Sequence, residues 1–255
     1  MKISLIQTSL TWEDANANRS NFEKLISSIN EPTDIILLPE MFSTGFTMKP
    51  ETVAETMDGE TVGWMKTIAT CKDCAIAGSV VIEENGNYYN RFLFVMPDGK
   101  IKQYDKRHLF SLAGEDKAYT KGIDRLVIDY RGWKICPLVC YDLRFPVFSR
   151  NTEDFDLLLY VANWPSPRVL AWDTLLRARS IENMCYVAGV NRIGQDNNGH
   201  NYPGHSQVFD CLGASLTVSS ESEGVITIEL DKQTMLETRN KFGFLNDRDS
   251  FILQD

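Results

Sequence analysis

Three short, almost wholly apolar runs constrain the fold more than any other feature of the chain. They cover residues 34–39, 133–139 and 156–162. Each run is too short for a typical helix and is apolar on both faces that a strand would present, so it predicts a strand covered on both sides. Side chains that follow such strands lie at the rim of a sheet, where small-molecule sites of α/β proteins form. We therefore expect the functional residues to follow strands.

The connections between these runs indicate mixed sheets. Helical periodicity predicts amphipathic helices over about 13–30, 60–72 and 168–183. Turn signals at Asn85-Gly86 and Arg131-Gly132 predict β-hairpins between other elements. Strands joined by a tight turn run antiparallel, whereas strands joined through a helix run parallel. The chain therefore predicts an α/β sandwich with mixed sheets and not a purely parallel, doubly wound sheet.

The C-terminal part predicts a strand over Ala214–Val218, a strand over Gly224–Leu230 and a short helix that ends near residue 239. The tail, residues 240–255, has no strong period but carries four large apolar side chains: Phe242, Phe244, Phe251 and Leu253. We expect this tail to dock on its own domain or on a neighbouring subunit, because exposed apolar patches are unfavourable. No linker, repeat or low-complexity segment interrupts the chain, so residues 1–255 are predicted to form a single domain.

Charge and N-terminal sequence exclude several classes of partner. The formal net charge is −9, which disfavours broad attraction to nucleic acid or to an anionic membrane. The first apolar run, residues 2–7, is too short for a signal peptide, and no stretch is long enough to span a bilayer. We therefore expect a cytoplasmic protein whose partner is a small molecule, with neither a nucleic acid nor a membrane partner.

The chain contains 6 cysteines, too thinly spread for a disulfide framework, which is consistent with a reducing compartment. Cys71 and Cys74 form one C-x-x-C pair, a spacing that could serve redox chemistry or zinc. No second pair accompanies it, and the chain has only 3 histidines. A chance pair near a helix end explains this spacing better, and no metal site is predicted.

Cys140 follows the second apolar run and is itself followed by turn-prone polar residues, Tyr141 and Asp142. A thiol at such a bend lies at the rim of the sheet, and the backbone N–H groups beyond the bend could stabilise an anion beside the sulfur. The functional interpretation is a nucleophilic cysteine with part of an oxyanion hole. The alternative is a small buried hydrophobe, which is the commoner role of a free cysteine.

Three charged residues also follow predicted strands or the loops after them. Glu40 follows the first apolar run, Lys106 follows a strand that ends near residue 104, and Glu115 lies one short loop further on. Taken singly, each could be an ordinary solvated side chain. Taken together with Cys140, they could meet in one cleft.

Three motifs containing these residues resemble the nitrilase superfamily of carbon–nitrogen hydrolases, most closely its ω-amidase branch. They are Leu38-Pro-Glu-Met-Phe-Ser-Thr-Gly45, Tyr104-Asp-Lys-Arg-His-Leu-Phe110 and Val139-Cys-Tyr-Asp-Leu-Arg-Phe145. Their order fits the family along essentially the whole chain, and three motifs in order are far more specific than any single residue. The resemblance implies a four-layer α-β-β-α sandwich with two mixed central sheets, and a homodimer or higher homo-oligomer.

The resemblance also assigns roles to the site residues. It implies a catalytic triad of Glu40, Lys106 and Cys140, with Glu115 holding the lysine, and it requires no metal or organic cofactor. The Lys106 ammonium would favour the Cys140 thiolate and Glu40 would act as general base. Lys106 and the Tyr141 N–H would bind the oxyanion. His108 and His205 then become structural candidates.

The ω-amidase resemblance implies hydrolysis of the terminal amide of small dicarboxylic acid monoamides, 2-oxoglutaramate or 2-oxosuccinamate. We predict that Tyr141, Trp164 and Phe42 contact the substrate. We expect Arg144 to form a structural ion pair and not to contact the substrate. A carbamoylase or an aliphatic amidase of the same superfamily is the near alternative. A non-catalytic binding or assembly module and a thiol redox protein that uses Cys71 and Cys74 are more distant ones.

Overall fold

The computed structural model describes residues 1–253. Its strands, in chain order, are β1 (Lys2–Gln7), β2 (Ile35–Leu37), β3 (Ala75–Glu84), β4 (Asn87–Val95), β5 (Ile101–Asp105), β6 (Ile128–Tyr130), β7 (Trp133–Val139), β8 (Leu157–Ala162), β9 (Tyr186–Asn191), β10 (Ile193–Gln195), β11 (Asn201–Pro203), β12 (Gln207–Phe209) and β13 (Gly224–Glu229). Its helices are α1 (Ala15–Ser27), α2 (Pro50–Val53), α3 (Glu60–Lys72), α4 (Glu115–Ala118), α5 (Val169–Asn183) and α6 (Lys232–Phe242).

The strands form two large mixed sheets, as the connections predicted. The first is 6-stranded with the order β13-β1-β2-β3-β4-β5, and the second is 5-stranded with the order β12-β9-β8-β7-β6. In each sheet three neighbouring strands are parallel, β1 to β3 in the first and β7 to β9 in the second, and antiparallel strands flank them.

Alternating side chains of the buried strands explain how the layers stack. In β2, Ile35 and Leu37 belong to the cluster packed between the two sheets, whereas Ile36 belongs to the cluster packed under α1 and α3. Successive side chains of a strand point to opposite faces, so an all-apolar strand requires cover on both sides. On the second sheet, Trp172 and Leu176 of α5 pack against β9. The four-layer α-β-β-α arrangement is confirmed.

Two predicted elements near the C-terminus differ in the structure. No strand covers 214–218, where Ser215 forms only an isolated bridge to Phe209. Helix α6 continues beyond the predicted end to Phe242, and the ring of Phe242 stacks on that of Phe244 with 5.2 Å between centroids. The pattern there was too weakly periodic to define either boundary.

The tail touches the body of the protein through an ion pair between Arg248 and Asp154, at 2.7 Å. Phe251 and Leu253 stay exposed, so docking of this segment on a partner subunit stays a prediction. Residues 254 and 255 of the predicted tail lie outside the described residues. Within residues 1–253, no helix combines the length and apolarity needed to cross a bilayer.

Candidate active site

Cys140 sits at a sharp bend between β7 and a 3-10 turn over Cys140–Arg144. Its backbone φ is 45°, in the left-handed region that side chains other than glycine rarely adopt. Such a conformation costs on the order of 1–3 kcal/mol and persists only where the surrounding structure holds it. The bend leaves Cys140 half-buried at the wall of a cavity of about 480 Å³.

Lys106, Glu40 and Glu115 form a wholly buried ionic cluster. The Nζ atom of Lys106 lies 2.8 Å from Glu40 Oε1 and 2.9 Å from both carboxylate oxygens of Glu115. All three side chains are 0% exposed. Buried charges are tolerated only when they are paired and hydrogen-bonded, and this cluster meets that requirement.

Two asparagines support the cluster, and the sequence motifs did not identify either as a site residue. Asn90 Nδ2 donates to Glu40 at 2.8 Å and to Glu115 at 3.1 Å. The backbone N–H of Asn163 donates to the second oxygen of Glu40 at 2.9 Å. Asn163 could have been suspected because it follows β8, whereas Asn90 lies inside β4 and carried no signal.

The pKa of the Cys140 thiol differs from the expectation that Lys106 would keep this thiol ionised. Burial and the nearby carboxylate of Glu40 raise the pKa of the Cys140 thiol well above its ordinary value, although the Lys106 ammonium acts in the opposite direction. Lys106 does favour the thiolate, as predicted, but burial and the carboxylates outweigh it. The resting thiol therefore keeps its proton and requires a base. The thiol donates a hydrogen bond to the Glu40 carboxylate.

The cluster also defines which groups stay charged. Burial alone would lower the pKa of Lys106, but Glu115 and Glu40 raise it above its ordinary value. Burial raises the pKa of Glu115, with Glu40 adding to the rise and Lys106 opposing it. These carboxylates therefore hold Lys106 in its charged form, and a cation near the thiol is suited to stabilising a developing negative charge.

The 3-10 turn supplies a second donor. The N–H of Tyr141 lies in the first turn of this short helix, where backbone N–H groups have no partner inside the helix. It is the residue directly after Cys140, so its N–H is placed near the sulfur. The oxyanion hole formed by this N–H and Lys106 stays a prediction.

The cavity wall contains two of the three predicted substrate contacts. Tyr141 and Trp164 line it together with Cys140. The prediction for Phe42 is wrong, because its ring is fully buried beneath α1 and α3, 5.5 Å from the ring of Phe22. Phe46, four residues further along the same loop, lines the cavity instead and places its ring 5.2 Å from Lys106 Nζ.

Three cations line the same cavity without a carboxylate partner. Arg144, Arg168 and Lys49 contribute to the wall, and none of them forms an ion pair within the described part of the chain. The Arg144 guanidinium lies 4.9 Å from the centre of the Trp164 ring. The prediction that Arg144 forms a structural ion pair is therefore wrong, and the guanidinium is available to an anionic group in the cavity.

Two carboxylates in the wall are already occupied by local hydrogen bonds. Glu13 accepts from the hydroxyl of Thr47 at 2.6 Å. Asp196 accepts from the hydroxyl of Tyr202 at 2.8 Å and from the backbone N–H groups of Asn198 and His200. Among the described residues, the wall thus carries three cations without a carboxylate partner and two carboxylates that accept from neutral donors.

The two histidines and the C-x-x-C pair singled out in the sequence take no part in the candidate active site. His108 Nδ1 bonds Asp142 at 2.8 Å and His205 Nδ1 bonds Asp173 at 3.0 Å, which gives both rings the structural surroundings that were predicted. Cys71 is exposed, Cys74 is buried, and both are free thiols. Within residues 1–253, no group of three or more His, Cys, Asp or Glu side chains could hold a metal ion.

Comparison with known proteins identifies relatives along nearly the whole chain. A family model described as carbon-nitrogen hydrolase matches residues 2–240. The chain is 47% identical to the omega-amidase YafV of Yersinia enterocolitica, over 99% of this chain and 98% of that protein. It is 32% identical to the 2-oxoglutaramate amidase of Bacillus subtilis (strain 168), over 96% of each.

A solved structure shares the fold. A CN-hydrolase superfamily protein of Xanthomonas campestris, whose crystal structure carries an arsenic adduct in the active site, superimposes with a TM-score of 0.97. The two chains are 45% identical, and the match covers 100% of this chain and 99% of that one.

Proposed function

Because the chain belongs to the carbon–nitrogen hydrolase family and is a hydrolase of carbon–nitrogen bonds other than peptide bonds, we propose that it is an ω-amidase. In this proposal it releases ammonia from the terminal amide of small dicarboxylic acid monoamides, 2-oxoglutaramate and 2-oxosuccinamate. The reaction proceeds through a thioester on Cys140. Glu40, Lys106 and Glu115 complete the catalytic group.

The observation that carries the substrate proposal is the unpaired guanidinium of Arg144 beside the nucleophile. Arg144 and Cys140 line the same cavity, which is small and partly walled by Trp164 and Phe46. Arginine binds carboxylates through strong, charge-assisted and frequently bidentate hydrogen bonds. A substrate with a carboxylate at one end and a carboxamide at the other would place the first on Arg144 and the second over Cys140.

The first half-reaction follows from the protonated thiol. Glu40 removes the thiol proton while Sγ of Cys140 attacks the amide carbon, and the oxyanion is stabilised by Lys106 Nζ and the Tyr141 N–H. Glu40 then transfers its proton to the departing nitrogen, the carbon–nitrogen bond breaks and ammonia leaves. The carbonyl carbon remains bound to sulfur as a thioester.

The second half-reaction hydrolyses this thioester. A water molecule gives a proton to Glu40 as its oxygen attacks the thioester carbon, and the same oxyanion donors act again. The carbon–sulfur bond breaks, the proton returns to the thiolate and the dicarboxylic acid leaves. Asn90 and Asn163 hold Glu40 in one orientation throughout, through the hydrogen bonds described above.

The named activities of two relatives support this substrate class. One is called an omega-amidase and the other a 2-oxoglutaramate amidase. A carbamoylase or an aliphatic amidase would use the same triad. A carbamoylase would need a carbamoyl substrate, which releases carbon dioxide with ammonia. An aliphatic amidase would need a neutral substrate, which gains nothing from Arg144.

A side-by-side assay of ammonia release tests the proposal. We expect turnover of 2-oxoglutaramate and much less of glutamine, N-carbamoyl amino acids and propionamide. Turnover of glutamine alone would overturn the ω-amidase assignment, and carbon dioxide release would favour the carbamoylase. If no amide is hydrolysed and Cys140→Ala keeps the cellular role, the protein is a non-catalytic module.

The proposal includes self-association into a homodimer or larger homo-oligomer and a cytoplasmic location. Leu170 and Ile181 are exposed on α5, and Leu212 is exposed next to Gly213, which packs on Ile181. Apolar side chains on one face of a helix favour burial against a second copy. The molar mass measured by light scattering tests the assembly, and a monomer at micromolar concentration would contradict it.

A further inference from the structure

One buried carboxylate beside the nucleophile is not used by the reaction as described. Asp142 is 0% exposed and lies two residues after Cys140. One of its oxygens accepts from the N–H of Val139 at 2.9 Å and from the Tyr104 hydroxyl at 2.8 Å. The other accepts from the backbone N–H and the Nδ1 of His108, at 3.0 and 2.8 Å.

These partners belong to both halves of the sandwich. Tyr104 lies on β5 of the first sheet, two residues before Lys106, and His108 lies two residues after it. Val139 is the last residue of β7 in the second sheet and directly precedes Cys140. The Asp142 carboxylate therefore ties both flanks of the lysine to the turn that carries the thiol.

The turn needs such a restraint, because Cys140 is held at a φ of 45°. Further contacts support the same arrangement. The ring of His108 stacks on that of Phe145 with 3.7 Å between centroids and an interplanar angle of 5°. A buried carboxylate that accepts from several donors is costly to disturb, so it fixes the relative position of the groups bound to it.

We propose that Asp142, with Tyr104 and His108, forms a clamp of positioning residues that sets the distance between the Cys140 thiol and the Lys106 ammonium. The clamp touches neither substrate nor the reacting atoms. The clamp acts by fixing the positions of the thiol and the ammonium when the thiol attacks and the oxyanion forms. A displacement of about 1 Å in such groups can cost about 10²-fold in rate. This inference rests on the proposed role of Cys140 as nucleophile.

Tyr104→Phe is the sharpest test, with Tyr160→Phe as its matched control. Each change removes one buried tyrosine hydroxyl and keeps the ring, and the Tyr160 hydroxyl donates to Ser149, at 3.0 Å, and not to Asp142. We expect both variants to unfold at similar temperatures. Tyr104→Phe should lower kcat about tenfold with KM nearly unchanged, and Tyr160→Phe should leave kcat within about twofold of the original.

Substitution of His108 gives a rescue experiment. His108→Asn keeps a side-chain N–H close to the position of Nδ1, whereas His108→Leu removes it. We expect the asparagine variant to retain several-fold more kcat than the leucine variant at equal thermal stability. Equal kcat in the two variants, or an equal loss of kcat in Tyr104→Phe and Tyr160→Phe, would overturn the clamp and leave a merely structural role.

A substrate-independent measurement separates this inference from the proposed function. The rate at which iodoacetamide alkylates Cys140, followed by mass spectrometry of the Cys140 peptide, should change in Tyr104→Phe and stay unchanged in Tyr160→Phe. An unchanged rate in Tyr104→Phe would contradict the clamp whatever the substrate is. If the alkylation rates differ as expected and no amide is hydrolysed, the clamp stands and the ω-amidase assignment fails.

Discussion

The two sheets contribute to the site in different ways. The first sheet and the loop after it supply Glu40, Lys106 and Glu115, which are wholly buried and bonded to one another. The second sheet supplies Cys140 and Trp164, which follow β7 and β8 and line the cavity. One half of the site is thus a closed ionic cluster, and the other half is an open wall, to which the loop after β2 adds Phe46 and Lys49.

This division separates chemistry from recognition. In the closed half every charge already has a protein partner, so its electrostatics do not depend on which substrate enters. In the open half, Arg144, Arg168 and Lys49 have no carboxylate partner in residues 1–253 and are free to respond to a substrate. Changes in the closed half should therefore affect all substrates and also stability, whereas changes in the open half should discriminate between substrates.

The largest effect is expected where the two halves meet, at the nucleophile. Cys140→Ala should lower kcat by roughly 10⁴-fold or more, since a nucleophile acting in a catalytic group typically carries an effect of that size. Cys136→Ala is the control, because Cys136 lies in β7, the strand that precedes Cys140, and is fully buried in the core. It should lose stability by about 1 kcal/mol and keep its activity. Ammonia release and chemical unfolding measure the two quantities.

The next largest effect tests the closed half. Lys106→Met removes an oxyanion donor and should lower kcat by about 10²–10³-fold for every amide tested. It also leaves two buried carboxylates without their cation, which should cost about 3–5 kcal/mol in the free energy of unfolding. Lys49→Met, at an exposed cation of the open half, should leave that free energy unchanged. An equally stable Lys106→Met protein would contradict the closed ionic cluster.

A smaller and selective effect is expected in the open half. Arg144→Gln should raise KM for 2-oxoglutaramate by about 10–100-fold, the equivalent of one lost charge-assisted hydrogen bond at about 1.5–3 kcal/mol. Hydrolysis of a neutral amide of similar size should change by less than about twofold. Steady-state kinetics with both substrates provide the comparison. A parallel loss for both would place Arg144 in the machinery common to all substrates.

The smallest effect concerns pH. Burial raises the pKa of Cys136 to about 12, against about 8.5 for a thiol in the unfolded chain. The folded state therefore holds this proton to higher pH, and the stabilisation is complete below pH ~8.5 and is lost as the pH rises towards the folded value. The free energy of unfolding should therefore fall less between about pH 7 and about pH 10 in Cys136→Ala than in the original protein.

The pH dependence of alkylation tests the protonation of Cys140. Because its pKa is also raised, its alkylation by iodoacetamide should be slow near neutral pH and should accelerate above the ordinary thiol range, about pH 8.5. A plateau of fast alkylation from about pH 6 would indicate a resting thiolate and contradict the general-base role of Glu40.

The sequence by itself predicted which runs form strands covered on both faces, whereas the four-layer stacking and the catalytic roles were implied by the resemblance of three motifs to the carbon–nitrogen hydrolases. All-apolar runs such as Ile35–Leu37 and Leu157–Ala162 require cover on both faces, and Asn85-Gly86 predicts the hairpin between β3 and β4. These are local properties, set by the periodicity and turn chemistry of a few neighbouring residues. Residues that follow buried strands also emerge at a sheet rim, which made Glu40 and Cys140 candidates, and the three motifs then assigned them to one site.

Only the tertiary structure decided what surrounds those residues. Asn163 and Glu40 are 123 positions apart and meet through a backbone N–H, a contact that no local pattern encodes. The burial of Phe42, the unpaired guanidinium of Arg144 and the raised pKa of Cys140 depend in the same way on side chains that other elements bring into contact. Electrostatics and packing are sums over spatial neighbours, and most of those neighbours are distant in the chain.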